Sequence, residues 1–504
     1  MKAWAKGSLG TVKPIRKSVT PCGPHITVVA IFSATETRLQ FAHDDLPVPK
    51  LVERIMSNLL GRRAVVVGGG IGGLSAAGAL AGYFEQVDVL ERDRLAPYAE
   101  SRPGTAQDRH THGLLAGGLK ALGEIFPGFE RDLVEAGAVP VKVGQDIRYE
   151  RADVGVLPRR DFGLSILCAS RPLIEFVLRR RAMAVANIAL RAGCRVTEIV
   201  PSRETARGVR FDSESGPSQT LEADLVVDAS GRGALTLALL DGLGWERPQV
   251  TEIGIDLTYT TAVVQIPADA IPDWKAVLTM PAPPTVALYA VLVPLEGGRW
   301  IVTIADRGSI PRLDSWDSFH AALPGLTTPT IYNALRRAEP LEGIRHYGFP
   351  ASIWKHFERL PRLPRGVLPI ADALCRFNPI FGQGMTAAAK QARLLQTMLG
   401  EAAAEPDPLA AALAGFMARI ESMLQTPWSM STSADLAFPT TRGERPENFE
   451  KGRQFEAALF RAVVADPVVH RAMIEVGQLL QPHDILHEPR MKERIEAVSA
   501  KTFA

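Results

Sequence analysis

Two glycine-rich turns hold the residues of this chain whose types and spacing could do chemistry: Gly68-Gly69-Gly70-Ile71-Gly72-Gly73 and Gly382-Gln383-Gly384. The first follows Arg63-Ala64-Val65-Val66-Val67, an apolar run that predicts a short buried strand. It precedes Leu74-Ser75-Ala76-Ala77-Gly78-Ala79-Leu80, a helix of small residues, and then Val87-Asp88-Val89-Leu90-Glu91, a second strand ending in an acid. That order is the dinucleotide fingerprint. Gly68 allows the tight turn, Gly70 admits a pyrophosphate to the helix N-terminus, and Gly73 permits close helix–strand packing. Glu91 is placed to accept hydrogen bonds from a ribose diol.

The second turn supplies what the other half of a dinucleotide needs. Gly366-Val367-Leu368-Pro369-Ile370-Ala371-Asp372 reads as a strand with an acid at its end. The loop Phe377-Asn378-Pro379-Ile380-Phe381-Gly382-Gln383-Gly384-Met385 then enters a long helix, Thr386 to Leu399. Asp372 can bind a ribityl chain, and backbone N–H groups near Gly384 and Met385 can face an isoalloxazine. The helix dipole there would stabilise negative charge on a reduced flavin. The pair of turns therefore selects FAD over a bare nicotinamide cofactor.

The elements that must position these turns can be read from periodicity. Leu115, Leu119, Leu122 and Ile125 lie at helical spacing within 114–126, and a second short helix is expected over 133–137. Segment 140–168 reads as strands, and Arg171-Pro172-Leu173 as a helix start with proline in its first turn. Strands return at 195–200 and in a hairpin around 213–216, followed by Ala223-Asp224-Leu225-Val226-Val227-Asp228. From 253 to 306 the pattern is mostly β, with Glu296-Gly297-Gly298-Arg299 expected as a turn joining Thr258–Val264 to Trp300–Ile304. Helices are expected over 314–323 and 330–338, and the remainder from 400 is largely helical with a break at 427–446.

The expected fold class is α/β with α+β insertions: a Rossmann-like FAD-binding domain interrupted by a mixed β-sheet substrate domain, with a helical C-terminal region. The expected boundaries are 1–55 for a poorly ordered N-terminal extension, 56–145, 169–245 and 361–400 for three parts of the FAD-binding domain, 146–168 and 246–360 for substrate-domain strands, and 401–504 for the helical region. The extension carries five basic residues and no acid in its first 35 positions. That is the bias of a transit peptide, but its prolines and glycines argue against an amphipathic helix.

Composition narrows the function classes. The chain has 504 residues, enough for two or three domains with cores of their own. Lys plus Arg is 57 and Asp plus Glu 55, so no global field favours nucleic acid or an anionic membrane. No apolar run reaches bilayer-spanning length. The four cysteines, Cys22, Cys168, Cys194 and Cys375, show neither CxxC pairing nor metal spacing, as expected of reduced thiols in a cytoplasmic protein. His110 and His112 lack a third ligand nearby, so local hydrogen bonding is expected and no metal. Tyr259, Trp354 and Phe377 are the aromatic candidates for lining a substrate pocket, Tyr259 and Phe377 foremost.

On these motifs the chain resembles the FAD-dependent monooxygenases of the para-hydroxybenzoate hydroxylase fold, and within them the bacterial squalene-epoxidase-like and polyether-epoxidase-like branch. The resemblance runs from about Arg62 to the C-terminus. It rests on Gly68–Gly73 with Leu90-Glu91-Arg92-Asp93, on Arg102-Pro103-Gly104-Thr105-Ala106-Gln107 with Arg109-His110-Thr111-His112, and on Ser170-Arg171-Pro172-Leu173-Ile174-Glu175. Asp224–Gly231 and the segment from Asp372 to Met385 complete it. It implies a cofactor set of Gly68, Gly70, Ile71, Gly73, Glu91, Arg92, Arg102, Arg171, Asp228, Gly231, Asp372, Pro379, Gly382, Gly384 and Met385. Two positions depart from the family pattern: Ala371 stands where glycine is usual, and Ala106 where proline is frequent.

The activity so implied is oxidation by O2 at the expense of NAD(P)H. A flavin C4a-hydroperoxide would hydroxylate or epoxidise an apolar or aromatic small molecule, as in secondary metabolism. The flavin carries the chemistry, so no catalytic acid or triad is expected from the protein. A reductase or dehydrogenase acting on an isoprenoid-like substrate is the alternative within flavin chemistry. A non-catalytic lipid-binding carrier is disfavoured by the intact second turn, and a halogenase by the absence of Trp-x-Trp-x-Ile-Pro.

Overall fold

The computed structural model describes residues 27–33, 36–42, 59–214, 216–270 and 273–502. Within the N-terminal unit, Thr27–Ser33 and Glu36–Ala42 pair as a two-stranded antiparallel hairpin. The rest of the expected 1–55 extension lies outside the described residues.

The second unit is built on a five-stranded parallel sheet. Its strand order is Ile188–Ala192, Phe84–Glu91, Gly61–Val67, Leu225–Asp228 and Val367–Pro369. Residues 64–67 are buried, as a strand covered on both faces requires. Helix Ile71–Leu80 crosses between the first two strands and is buried along nearly its whole length. Only alanines and glycines let it pack against strand, helix Arg171–Met183 and helix Gly384–Glu401 together. Helix Arg171–Met183 starts as expected: Ser170 Oγ accepts the Leu173 N–H at 3.3 Å, with Pro172 in the first turn.

A nine-stranded sheet stands apart from the parallel one. Its main path runs Cys375–Arg376, Arg345–Lys355, Val250–Gln265, Trp300–Asp306, Tyr289–Pro294, Ala276–Thr279, Ile147–Arg151 and Gly155–Val156, and Glu339–Pro340 pairs with Val250–Gln265 off this path. The long strand Val250–Gln265 bulges between Gly254 and Leu257, where Asp256 adopts φ 46°. Gly113–Leu114, Ser165–Cys168 and Val139–Lys142 form one small antiparallel sheet, and Cys194–Ser202, Thr205–Ser213 and Gly216–Glu222 another. One core runs from Val66 and Val89 through Leu368 and Leu395 to Ile253 and Tyr259, and on to Phe416 and Trp428. A second lies beneath the large sheet, where Val264, Leu292 and Val302 meet Phe319 and Ile331.

Two expectations need correction. The turn 296–299 joins Tyr289–Pro294 to Trp300–Asp306, while Val250–Gln265 pairs with Trp300–Asp306 across the sheet without that turn. The C-terminal region does not break at Pro427: helix Pro408–Leu436 runs through it. Its face carrying Leu424, Trp428 and Ser431 is buried, and that burial outweighs the one backbone hydrogen bond a proline removes.

Candidate cofactor site

The first glycine turn has the close contacts its sequence demands. Gly68 adopts φ 102° and donates its N–H to Leu90 O at 2.9 Å. A Cβ on Gly73 would lie 1.8 Å from Gly68 O, so only glycine lets the helix sit this near the strand. Gly70 differs: a Cβ there would meet nothing closer than Arg102 Nη2 at 3.8 Å. No described side chain caps helix Ile71–Leu80, and its first turn holds no acid. The N–H groups of that turn therefore remain available to an anion.

The second turn meets the first. A Cβ on Gly72 would come within 2.7 Å of the Ala371 methyl. Ala371 adopts φ 58°, the left-handed conformation that explains why glycine suits this position, and its N–H is held by Gln391 Oε1 at 2.6 Å. Helix Gly384–Glu401 also starts without a side-chain cap or an acid in its first turn. Gly382 adopts φ 64°, and a methyl on Gly382 or Gly384 would touch nothing within 4 Å. Two uncapped helix N-termini thus converge on one region.

The charges around them form two groups. In the first, Arg102 is the hub: Nε to Glu175 Oε1 at 2.7 Å, and Nη1 to Asp93 Oδ2 at 2.8 Å and Glu91 Oε2 at 3.2 Å. Burial alone would lower the Arg102 guanidinium, but Glu175, Glu91 and Asp93 outweigh it and hold it charged. Glu91 also accepts Gly69 N–H at 2.7 Å and Asp93 N–H at 2.9 Å, so the acid expected at the ribose shapes the turn as well. In the second group, burial pushes the Asp372 carboxyl up, against Arg171, Arg376 and Lys355, which pull it down. Arg171 Nε, Glu175 Oε2, Gln383 Oε1 and Thr386 Oγ1 are buried without a hydrogen-bond partner. Unpaired buried polar atoms are costly, and their collection beside the two turns marks where a polar ligand would repay them.

Not every residue of the expected set faces this region with its side chain. Asp228 is fully buried, and its carboxylate takes four donors: Ser230 N–H and Oγ, Thr236 N–H and Oγ1. It builds the loop that carries Gly231, at φ 85°, and has no free acceptor for a cofactor. The Ile71 and Met385 side chains belong to the apolar core, leaving only their backbones to a ligand. Pro379 sits in the turn Pro379–Phe381, and Arg92, 63% exposed, only approaches Asp93 at 3.8 Å. Tyr259 and Phe377 are each 5% exposed, and the Tyr259 hydroxyl is committed to Asn378 Oδ1 at 2.9 Å.

A cleft of about 360 Å³ opens beside Arg102, lined by Ser101, Pro103, Ala106, Asp108, Arg109, His110, Arg345 and His346. Neither Tyr259, Phe377 nor Trp354 borders it. Asp108, its one acid, accepts Arg102 N–H at 3.0 Å and Thr105 Oγ1 at 2.8 Å on Oδ2, and the guanidinium groups of Arg109 and Arg345 outnumber it along the wall. At its base His110 Nδ1 bonds Thr261 Oγ1 at 2.7 Å, and burial lowers His110 to about 4. His112 Nδ1 donates to His110 O at 2.8 Å, and burial lowers that ring to about 3. Among the described residues no cluster of three His, Cys, Asp or Glu is arranged for a metal.

Sequence reasoning missed several participants. Glu175 lies one turn after Arg171, a spacing that could have flagged it. Arg376 lies four residues after Asp372, the same spacing, whereas Lys355 and Gln391 carried no signal, because only the fold brings them to Asp372 and Ala371.

No family model matches the chain. It is 33% identical over 428 residues to Protein Rv3254 of Mycobacterium tuberculosis, covering 81% of this chain and 87% of that protein. The chain belongs to the family of that protein. Its fold is shared with the flavin-dependent brominase Bmp2, at a TM-score of 0.60 and 14% identity over 83% of this chain and 94% of that one. It is also shared with the p-nitrophenol 4-monooxygenase PnpA of Pseudomonas putida DLL-E4, at a TM-score of 0.58 and 18% identity over 84% of this chain and 100% of that one. The mixed α/β architecture is thus that of flavin-dependent monooxygenases and halogenases.

Proposed function

We propose that this member of the Rv3254 family is an FAD-dependent monooxygenase that uses NAD(P)H and O2 to hydroxylate or epoxidise a small molecule. The observation that carries the reading is the packing of the first glycine turn, at Gly72, on Ala371 and on Ala388 of helix Gly384–Glu401, where both helices start uncapped beside buried polar atoms without hydrogen-bond partners. Bound FAD supplies two-electron reduction by a nicotinamide and reaction with O2. The chain's own residues then bind and orient. N–H groups of Ile71–Gly73 hold the pyrophosphate, Arg171 adds a cation, and Glu91 takes a ribose diol between Arg92 and Arg102. Asp372 takes the ribityl chain, and backbone from Gly382 to Met385 faces the flavin ring.

In this reading the parallel sheet is the FAD-binding domain, drawn from 56–145, 169–245 and 361–400, and the large sheet from 146–168 and 246–360 carries the substrate. Arg109, Arg345 and His346 suit the phosphates of the reductant better than an apolar substrate, since unpaired guanidinium groups favour anions. The motif set supports the epoxidase-like branch within the family. Among the described residues no helix is long and apolar enough to cross a membrane. The test is the visible spectrum of purified protein, followed by oxygen-electrode assays of NAD(P)H oxidation with alkenes and phenols. A flavin spectrum with substrate-stimulated O2 uptake is expected, and substrate turnover that continues under anaerobic conditions would replace a monooxygenase with a reductase.

A further inference from the structure

A buried polar chain runs behind the second glycine turn. Tyr259, on strand Val250–Gln265, donates its hydroxyl to Asn378 Oδ1 at 2.9 Å. The same oxygen accepts the Ile380 N–H at 3.1 Å and so closes the turn Pro379–Phe381. A backbone N–H is an obligate donor, which fixes the orientation of the Asn378 amide. Its Nδ2 must then face an acceptor, and it donates to Asp435 Oδ1 at 2.8 Å. That carboxylate oxygen also takes Arg307 Nη2, from the residue just past strand Trp300–Asp306.

The far end of the chain is held as tightly. The Arg307 guanidinium lies 4.5 Å over the Phe438 ring, and its Nη1 reaches Thr441 Oγ1 at 3.4 Å. Thr441 Oγ1 donates in turn to Asp435 O at 2.6 Å. The Arg307 and Asp435 side chains are 7% and 2% exposed, and Asp435 Oδ2 is buried without a partner. A buried ion pair is seldom retained for stability, because apolar residues of the same volume serve that end as well. What this one does is tie together three elements that are distant in sequence: the large sheet, the turn leading to Gly382, and helix Pro408–Leu436. They meet at a single amide, Asn378.

We propose that Asp435 is a positioning residue for the flavin, acting through Asn378 to set the backbone of the turn that leads into Gly382–Met385. The inference rests on the reading of that turn as flavin-facing. Asp435 touches neither cofactor nor substrate. It orients the Asn378 amide, and the amide holds the Ile380 N–H. Tyr259 pulls on the same amide from the opposite side, so its hydroxyl belongs to this device and not to a substrate contact.

The experiment measures FAD affinity of the apoprotein by fluorescence quenching, with the visible circular dichroism of bound flavin, for wild type, Tyr259→Phe, Asp435→Asn and the double variant. Each single variant is expected to weaken FAD about 5- to 10-fold, the loss of one buried hydrogen bond, and to alter the dichroism of the flavin bands. The double variant is expected to bind no worse than the poorer single one, because both act through one amide. Tyr259→Phe removes one oxygen atom and keeps the ring, so it carries the test should Asp435→Asn fold poorly. Affinities within twofold of wild type with unaltered dichroism overturn the inference, whatever the variants do to thermal stability. So does simple additivity in the double variant. Wild-type protein that binds no FAD overturns the cofactor reading and this inference together.

Discussion

Alanine at Gly73, Gly70 and Gly384 separates architecture from ligand contact, because the added methyl meets different surroundings at each position. At Gly73 it would lie 1.8 Å from Gly68 O, against an optimum of about 3.5 Å for a non-bonded contact. Helix and strand must part by more than a side-chain adjustment can absorb, at a cost of about 3 kcal/mol. With roughly 2 cal/mol/K of unfolding entropy per residue, a unit of about 450 residues loses about 1 °C per kcal/mol. Gly73→Ala should therefore melt about 3 °C below wild type even without cofactor. At Gly70 the methyl makes only ordinary contacts, 3.8 Å to Arg102 Nη2 and 3.9 Å to Glu175 Oε2, and at Gly384 it makes none within 4 Å. Both apoproteins should melt within about 1 °C of wild type. If the pyrophosphate lies on the Gly70–Gly73 N–H groups, the Gly70→Ala methyl displaces it, with a loss in FAD affinity of about 10- to 100-fold, or 1.4–2.7 kcal/mol. Thermal unfolding of the apoproteins and fluorescence titration with FAD measure the two effects apart. Gly70→Ala binding FAD within twofold of wild type, or Gly73→Ala melting with wild type, would refute the reasoning.

Three further outcomes follow from the same geometry. Arg102→Ala leaves Glu91, Asp93 and Glu175 facing one another without their cation, and should lower stability in urea by about 3–5 kcal/mol. Arg102→Lys should recover only part of that, since an ammonium cannot reproduce the fork, and full recovery would count against it. Ala371→Gly removes a left-handed alanine that costs about 1–2 kcal/mol, partly offset by the greater freedom of glycine in the unfolded chain, so the melting point should rise slightly. A fall would show that the Ala371 methyl packing on Gly72 matters more than its backbone. Burial lowers His110 from 6.5 to about 4, so the unfolded chain takes up its proton first and stability is lost as pH falls from 6.5 towards 4. His110→Asn, which still offers a hydrogen bond to Thr261, should flatten the dependence of melting point on pH in that window, and an unchanged slope would place the titrating group elsewhere.

The strand, glycine turn and helix of 61–80 were legible in the sequence because their constraints are local. A glycine run, a β-branched strand and a small-residue helix each act within a few residues, and their order leaves one compact arrangement. The same holds for Ser170 and Pro172 at a helix start, and for an acid closing Phe84–Glu91. Local rules failed where burial overrode them. Pro427 reads as a break but lies inside a helix, because the face around Trp428 is worth more in the core than one backbone hydrogen bond. Asp228 reads as a ligand from its motif, yet Ser230 and Thr236 use all of its acceptors.

What only the tertiary structure decided is which distant groups face one another. Lys355 comes to Asp372, Gln391 to the N–H of Ala371, and Asp435 to Asn378. No period or spacing encodes these meetings. A hydrogen bond acts over about 3 Å, and which atoms come that close is settled only when sheets and helices have packed. The sequence by itself determined that a strand, glycine turn and helix unit forms and where the two glycine turns lie. The packing decided which side chains hold those turns in place.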